Sequence, residues 1–206
     1  MRVLIAPDKF AGTLSAVEAA DAIAEGWRRR APDDETVRVP MADGGPGFCD
    51  VLHAGLGGDL VAVTVTGPYG ERVPATVLLA GETAQGERTA YIESAQACGL
   101  HLTPPEARDA ERATSRGVGE LVAAAIDAGA NRIVVGLGGS GTNDGGAGLL
   151  AALGATASPA TALDQGPSSL ATLDSVDLTE ARSRLEGRTL VAASDVDNPL
   201  LGLIGA

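Results

Sequence analysis

Residues 136–148 read Gly136-Leu-Gly-Gly-Ser-Gly-Thr-Asn-Asp-Gly-Gly-Ala-Gly148. The apolar run Arg132-Ile-Val-Val-Gly-Leu137 leads into them and Leu149-Leu-Ala-Ala-Leu153 follows, so a strand feeds a glycine loop that feeds a helix. Glycine admits φ > 0 and lets a ligand approach the backbone, while the free N–H groups that open a helix favour an anion. Ser140, Thr142, Asn143 and Asp144 add two hydroxyls, an amide and a carboxylate, a mix that can hold phosphate oxygens together with a magnesium ion. A lone glycine loop is commonly a plain connection. The packed polar cluster is what separates this one from that reading.

Upstream, Arg2-Val-Leu-Ile-Ala6 reads as a buried parallel strand, followed by the loop Asp8 to Leu14. Ser15 and Glu18 form an S-x-x-E capping box, and Val17, Ala20, Ala24 and Trp27 keep helical spacing up to Arg28-Arg-Arg30. Val37 to Val39 predicts a second strand, and Phe48 to Leu56 a short helix. This β-α-β-loop-α order belongs to a parallel α/β sheet. The pattern changes over Leu60–Thr66, Val73–Leu79 and Thr89–Glu93, which read as consecutive strands around the turn Gly67-Pro-Tyr-Gly70. Helices and strands alternate again after Thr114, with Val118–Ala128 closed by Gly129, Thr179–Glu186, and a strand over Arg188–Ala193. Residues 156 to 169 carry no clear pattern. The expected organisation is a Rossmann-like α/β part over 1–60, a β-rich second-domain element over 61–103, and an α/β part with the glycine loop over 104–206.

The formal charge of −12 argues against nucleic acid and anionic membranes, because no basic stripe could neutralise a polymer's phosphates. The sequence has neither a run of about 18 apolar residues nor a charged-then-apolar leader, so a cytoplasmic protein without a membrane partner is expected. Cys49 and Cys98 are too few for a disulfide framework and are expected to be reduced and buried. Lys9 is the single lysine, and it sits in the loop after the first strand.

Polar loops directly after strands mark ligand sites in parallel α/β proteins. Four qualify: Asp8-Lys9 with Gly12-Thr13, Asp43-Gly44-Gly45, Ser140 to Asp144, and Asp195-Val-Asp-Asn-Pro199. Any one of these aspartates could be a simple cap or Asx turn. Together, carboxylates beside glycines suit a magnesium-bound polyphosphate and removal of a proton from a hydroxyl. The chain has no G-x-x-x-x-G-K-[ST] phosphate loop. Gly136-x-Gly138-x-x-Gly141 satisfies the dinucleotide fingerprint, but Thr-Asn-Asp-Gly-Gly then intervenes where a helix should begin. His53 and His101 have no partner at metal-ligand spacing.

Seven segments in order resemble the bacterial two-domain glycerate kinases: Ala6-Pro-Asp-Lys-Phe-Ala-Gly-Thr-Leu-Ser-Ala16, Ala42-Asp-Gly-Gly45, Val65-Thr-Gly-Pro68, Ile92-Glu-Ser-Ala95 with Gly99-Leu100, Thr114-Ser with Gly119-Glu-Leu121, Gly136 to Gly146, and Asp195-Val-Asp-Asn-Pro-Leu200. The resemblance implies two α/β domains, one Rossmann-like, and ATP- and Mg²⁺-dependent phosphorylation of D-glycerate, with 2-phosphoglycerate the expected product. By that resemblance Gly138, Gly139, Ser140, Thr142, Asn143 and Gly145 would cradle ATP. Asp195, Asp43 and Lys9 would carry catalysis, and Asp144 and Asp197 would hold the metal. The chain departs from the family at Ala11, where lysine is usual, and at Pro46-Gly47-Phe48, where a Glu and a Gly-Thr pair are usual. Relatives continue past Ala206, so the chain is expected to be C-terminally truncated against the family. An incomplete sheet would expose apolar edges and favour a homo-oligomer. The alternative expectation is a non-catalytic remnant that binds nucleotide or an anion weakly.

Overall fold

The computed structural model describes residues 1–82 and 86–195. Two sheets carry the architecture. Strands β1 (Arg2–Ile5) and β2 (Glu35–Arg38) pair in parallel, joined by helix α1 (Ala16–Arg30). Helix α2 (Phe48–Leu56) then leads to β3 (Asp59–Thr66), β4 (Arg72–Glu82) and β5 (Arg88–Glu93). The short α3 (Ala95–Cys98) and two 3₁₀ turns precede α4 (Arg116–Asp127), β6 (Arg132–Gly136) and α5 (Ala147–Ala152). Next come β7 (Thr156–Ser158), α6 (Pro167–Leu170), β8 (Ser175–Asp177), α7 (Thr179–Leu185) and β9 (Thr189–Ala193).

The main sheet has the order β3-β4-β5-β6-β9. The first three strands are antiparallel, whereas β5, β6 and β9 run parallel. The β-rich segment of 61–103 therefore hydrogen-bonds directly onto the strand that feeds the glycine loop. Antiparallel pairing through β4 leaves β3, β5, β6 and β9 pointing the same way, so Thr66, Glu93, Gly136 and Ala193 end at one edge.

Strand alternation separates the faces. Val77, Leu79, Ala90, Ile92, Ile133 and Val135 are buried against Val118, Leu121 and Val122 of α4. Leu78 and Tyr91 are out of phase with them and project to the opposite face, where Phe48 of α2 meets Tyr91 edge-on at 6.3 Å between ring centroids. At about 25 cal/mol per Å² of buried apolar surface, this two-sided core is the principal driving force for the fold.

The capping box of α1 forms as its sequence predicts. Ser15 Oγ accepts from Glu18 N at 3.2 Å, and Glu18 Oε2 accepts from Ser15 N at 2.8 Å. One expectation is corrected. β1 is parallel but not a buried strand: Ile5 packs on Ala20 and Ala24, whereas Leu4 is 66% exposed. Helix α1 covers one face of a two-stranded sheet, and alternation turns Leu4 to the other. The unpatterned stretch 156–169 contains β7, which pairs with β8 at three residues, too few for periodicity to show.

Candidate active site

Three loops converge on the carboxyl edge of the main sheet. Gly138 N donates to Gly44 O at 3.0 Å, and Leu137 N donates to Ala193 O at 3.0 Å. The contact admits no side chain. A Cβ on Gly138 would lie 2.5 Å from Gly45 N, and one on Gly44 would lie 2.8 Å from Ala193 O. Part of the glycine richness that reads as a phosphate cradle thus serves loop-on-loop packing. The seam carries the Asp43 loop across from the β1-β2 unit onto the main sheet.

At the outer end of that seam Lys9 Nζ lies 2.8 and 2.7 Å from the two carboxylate oxygens of Asp43. Asp43 Oδ1 also accepts from Gly45 N at 2.8 Å. The lysine first, and the Gly45 amide second, hold the Asp43 carboxyl below its ordinary range. Lys9 itself lines a 340 Å³ cavity together with Asp8, Gly12, Thr13, Ser15, Met41 and Pro46 among others.

The sequence-predicted residues of the glycine loop divide in two. Ser140, Asn143 and Gly145 are exposed, and the backbone N–H groups of Gly139, Ser140, Thr142, Asn143 and Gly145 have no acceptor among the described residues. Thr142 Oγ1 instead donates to Ala113 O at 2.8 Å and accepts from Asp144 N. Asp144 is 2% exposed. Its Oδ2 accepts from Ser115 N at 2.7 Å, Ser115 Oγ at 2.8 Å and Gly148 N at 3.1 Å, while Oδ1 accepts from Gly146 N at 3.0 Å. Asp144, expected as a metal ligand, thus has its oxygens turned inward, where they close the loop. They also take up amides at the start of α5, a helix of only six residues.

Asp195 is exposed, two residues past the end of β9, and Asp197 lies outside the described residues. Among the described residues no group of three His, Cys, Asp or Glu side chains clusters as a metal centre. Magnesium bound through phosphate oxygens needs only one or two carboxylates. The Asp43 carboxylate could serve as one, and Lys9 with the loop amides that lack an acceptor among the described residues could take phosphate oxygens.

Glu93, absent from the expected site, is 5% exposed at the end of β5 and accepts from Gly47 N at 3.0 Å. Gly47 precedes α2 and offers no capping side chain, so the glutamate of another element does that work. Burial raises the Glu93 carboxyl above its ordinary value, opposed by its hydrogen bonds. Its position as the last residue of a strand is the signal that could have found it. Cys49 and Cys98 are free and buried as expected, their thiols both pushed up to about 12 by burial. No described helix is long and apolar enough to cross a membrane.

The glycerate kinase family model matches residues 3–206. The chain is 45% identical to a glycerate kinase of Bacillus subtilis (strain 168), covering 100% of this chain and 53% of the relative. It is 44% identical to the glycerate 2-kinase of Escherichia coli (strain K12), covering 100% and 54%. A crystal structure from Salmonella typhimurium LT2, carrying the provisional name glycerate kinase 2, superposes with a TM-score of 0.84 at 44% identity, covering 100% of this chain and 55% of that one. The chain spans about half the length of the curated relatives it matches.

Proposed function

We propose, because the chain belongs to the glycerate kinase family, that it takes part in ATP-dependent phosphorylation of D-glycerate, with 2-phosphoglycerate as product. The single observation that carries this reading is the set of loop amides of Gly139, Ser140, Thr142, Asn143 and Gly145, without acceptors among the described residues, on the same sheet edge as the Lys9–Asp43 pair. Backbone donors fixed before the ligand arrives stabilise phosphate charge without reorganising.

Magnesium, when bound with ATP, would neutralise charge on the transferring phosphoryl group. Asp43 is the residue to hold it, since a carboxyl kept below its usual range stays charged and is a poor proton acceptor. Lys9 sits beside it to balance developing negative charge, and Ser140 and Asn143 offer side-chain contacts to phosphate oxygens. The acceptor hydroxyl of glycerate attacks the γ-phosphorus in line, its O–P bond forms as the bond to the leaving diphosphate breaks, and its proton passes to a carboxylate. Asp195, exposed beyond β9, is assigned that step. Catalysis is then positioning and electrostatics.

The test is consumption of ATP by the purified chain with Mg²⁺, with and without D-glycerate. Glycerate-dependent consumption is expected, lowered by orders of magnitude in Asp195→Asn. Turnover of that variant within a factor of about two of the parent would remove the base assignment. No consumption, with nucleotide still bound, would leave weak binding without transfer as the function.

A further inference from the structure

A second concavity opens on the same edge, at the end of β3. It encloses about 610 Å³, within the size range of small-molecule sites, and is lined by Thr66, Tyr69, Arg112, Thr114, Arg116 and Ser168 among others. Its walls are laced together. Thr114 N donates to Pro68 O at 2.9 Å, Ser168 N to Glu111 O at 3.1 Å, and Asp109 N to Tyr69 Oη at 2.7 Å. A Cβ on Gly166 would lie 2.5 Å from the Arg112 carbonyl carbon, so these two segments meet backbone to backbone.

The charges inside are unevenly matched. Arg116 is paired with Asp164 and lies 3.6 Å from Glu120, whose carboxylate also accepts from Thr66 N at 2.8 Å, Thr66 Oγ1 at 2.7 Å and Arg72 at 3.2 Å. Both acids are therefore occupied. The Arg112 guanidinium has no acceptor among the described residues, and Asp109 and Glu111 from its own segment do not line the cleft. The hydroxyl of Ser168 and the amide of Gln165 are also without partners among the described residues. One surplus cation thus stands beside unused neutral hydrogen-bonding groups, in a chain of net charge −12.

We infer that this cleft is a subsite for a small oxyanion, a carboxylate or a phosphate, gripped by the planar fork of Arg112 with Ser168 and Gln165 on its remaining oxygens. A guanidinium suits both anions because its parallel N–H groups match two oxygens at once. The site stands on its own residues and does not require phosphoryl transfer at the Lys9–Asp43 cavity.

The experiment is a titration of the ¹⁵N-labelled chain with inorganic phosphate and, separately, with D-glycerate at fixed ionic strength, reading the Arg112 side-chain Nε and the Ser168 amide. A saturable shift at both positions is expected with at least one probe. The stronger probe tells whether phosphate or carboxylate is the natural group. Arg112→Ala should weaken it at least tenfold without unfolding, since its side chain has no hydrogen-bond or ion-pair partner among the described residues. Arg112→Lys should recover part of the loss, and Lys9→Ala should leave the shift intact. Absence of saturation with either probe, or saturation undiminished in Arg112→Ala, would overturn the assignment. Loss in Lys9→Ala would instead place the anion at the first cavity and overturn it equally.

Discussion

Replacing Asp144 with alanine tests the role that its geometry gives it. The substitution strips the acceptor from three backbone N–H groups, those of Ser115, Gly146 and Gly148, and from the Ser115 hydroxyl. Hydrogen bonds to a charged acceptor contribute about 1.5–3 kcal/mol each, and a buried donor left unpaired costs about 1–3 kcal/mol. The four losses do not add, because Gly146 is partly exposed and water can enter the space left by the carboxylate. A net cost of about 4 kcal/mol follows, below the simple sum of those losses. With a urea slope of about 2 kcal/mol/M, the unfolding midpoint should fall by about 2 M. Equilibrium urea denaturation followed by far-ultraviolet circular dichroism measures it. A fall of less than about 0.5 M would show that the carboxylate does not hold the loop and would favour its metal role instead.

Asp43 gives a pH signature. Its folded-state carboxyl is depressed by Lys9, so its contribution to stability is present above the unfolded carboxyl range of about 4 and is lost as pH falls through the folded value. The pair is partly exposed and the effect should stay below about 1 kcal/mol. Lys9→Met should flatten the acid limb of the stability profile, and an unchanged limb would count against the pair. Gly138→Ala must displace backbone and should cost about 3 kcal/mol. Gly145→Ala meets open space and pays only for φ of +60°, about 1 kcal/mol or roughly 2–4 °C in thermal midpoint; equal melting losses would refute the seam. Cys49 and Cys98, with thiols pushed up to about 12, should resist a thiol reagent at pH 8 until the chain unfolds. Fast labelling of the native chain would contradict their burial.

Secondary structure was legible where local chemistry decides it. The Ser15–Glu18 box, the β-branched run before Gly136 and the helix from Phe48 to Leu56 each carry their own signal. What sequence could not show was which strands share a sheet. Alternation in Leu60–Thr66 identifies a strand but says nothing of its joining β6 through β4 and β5. The site divided along the same line. Lys9 and Asp43 were readable as polar residues after strands, and they meet at 2.7 Å. The inward turn of Asp144 depends on Ser115, and the capping of Gly47 by Glu93 depends on a β5 residue far along the chain, so neither was visible to a local reading. Arg112 escaped for a different reason: nothing in its neighbourhood of sequence distinguishes it from the chain's other arginines.

The glycine seam has a kinetic consequence. It joins chain positions 44, 136–138 and 193, so the Lys9–Asp43 corner gains its fixed orientation only after strands at both ends of the chain have been placed. Closing such long loops costs entropy before any contact compensates it, and contacts of this separation belong to the slow part of folding. The main core of β4, β5, β6 and α4 draws on nearer segments and can consolidate first. In refolding, a reporter on Lys9 should lag one on the core, and protection of the Gly138 amide from exchange should be acquired among the last.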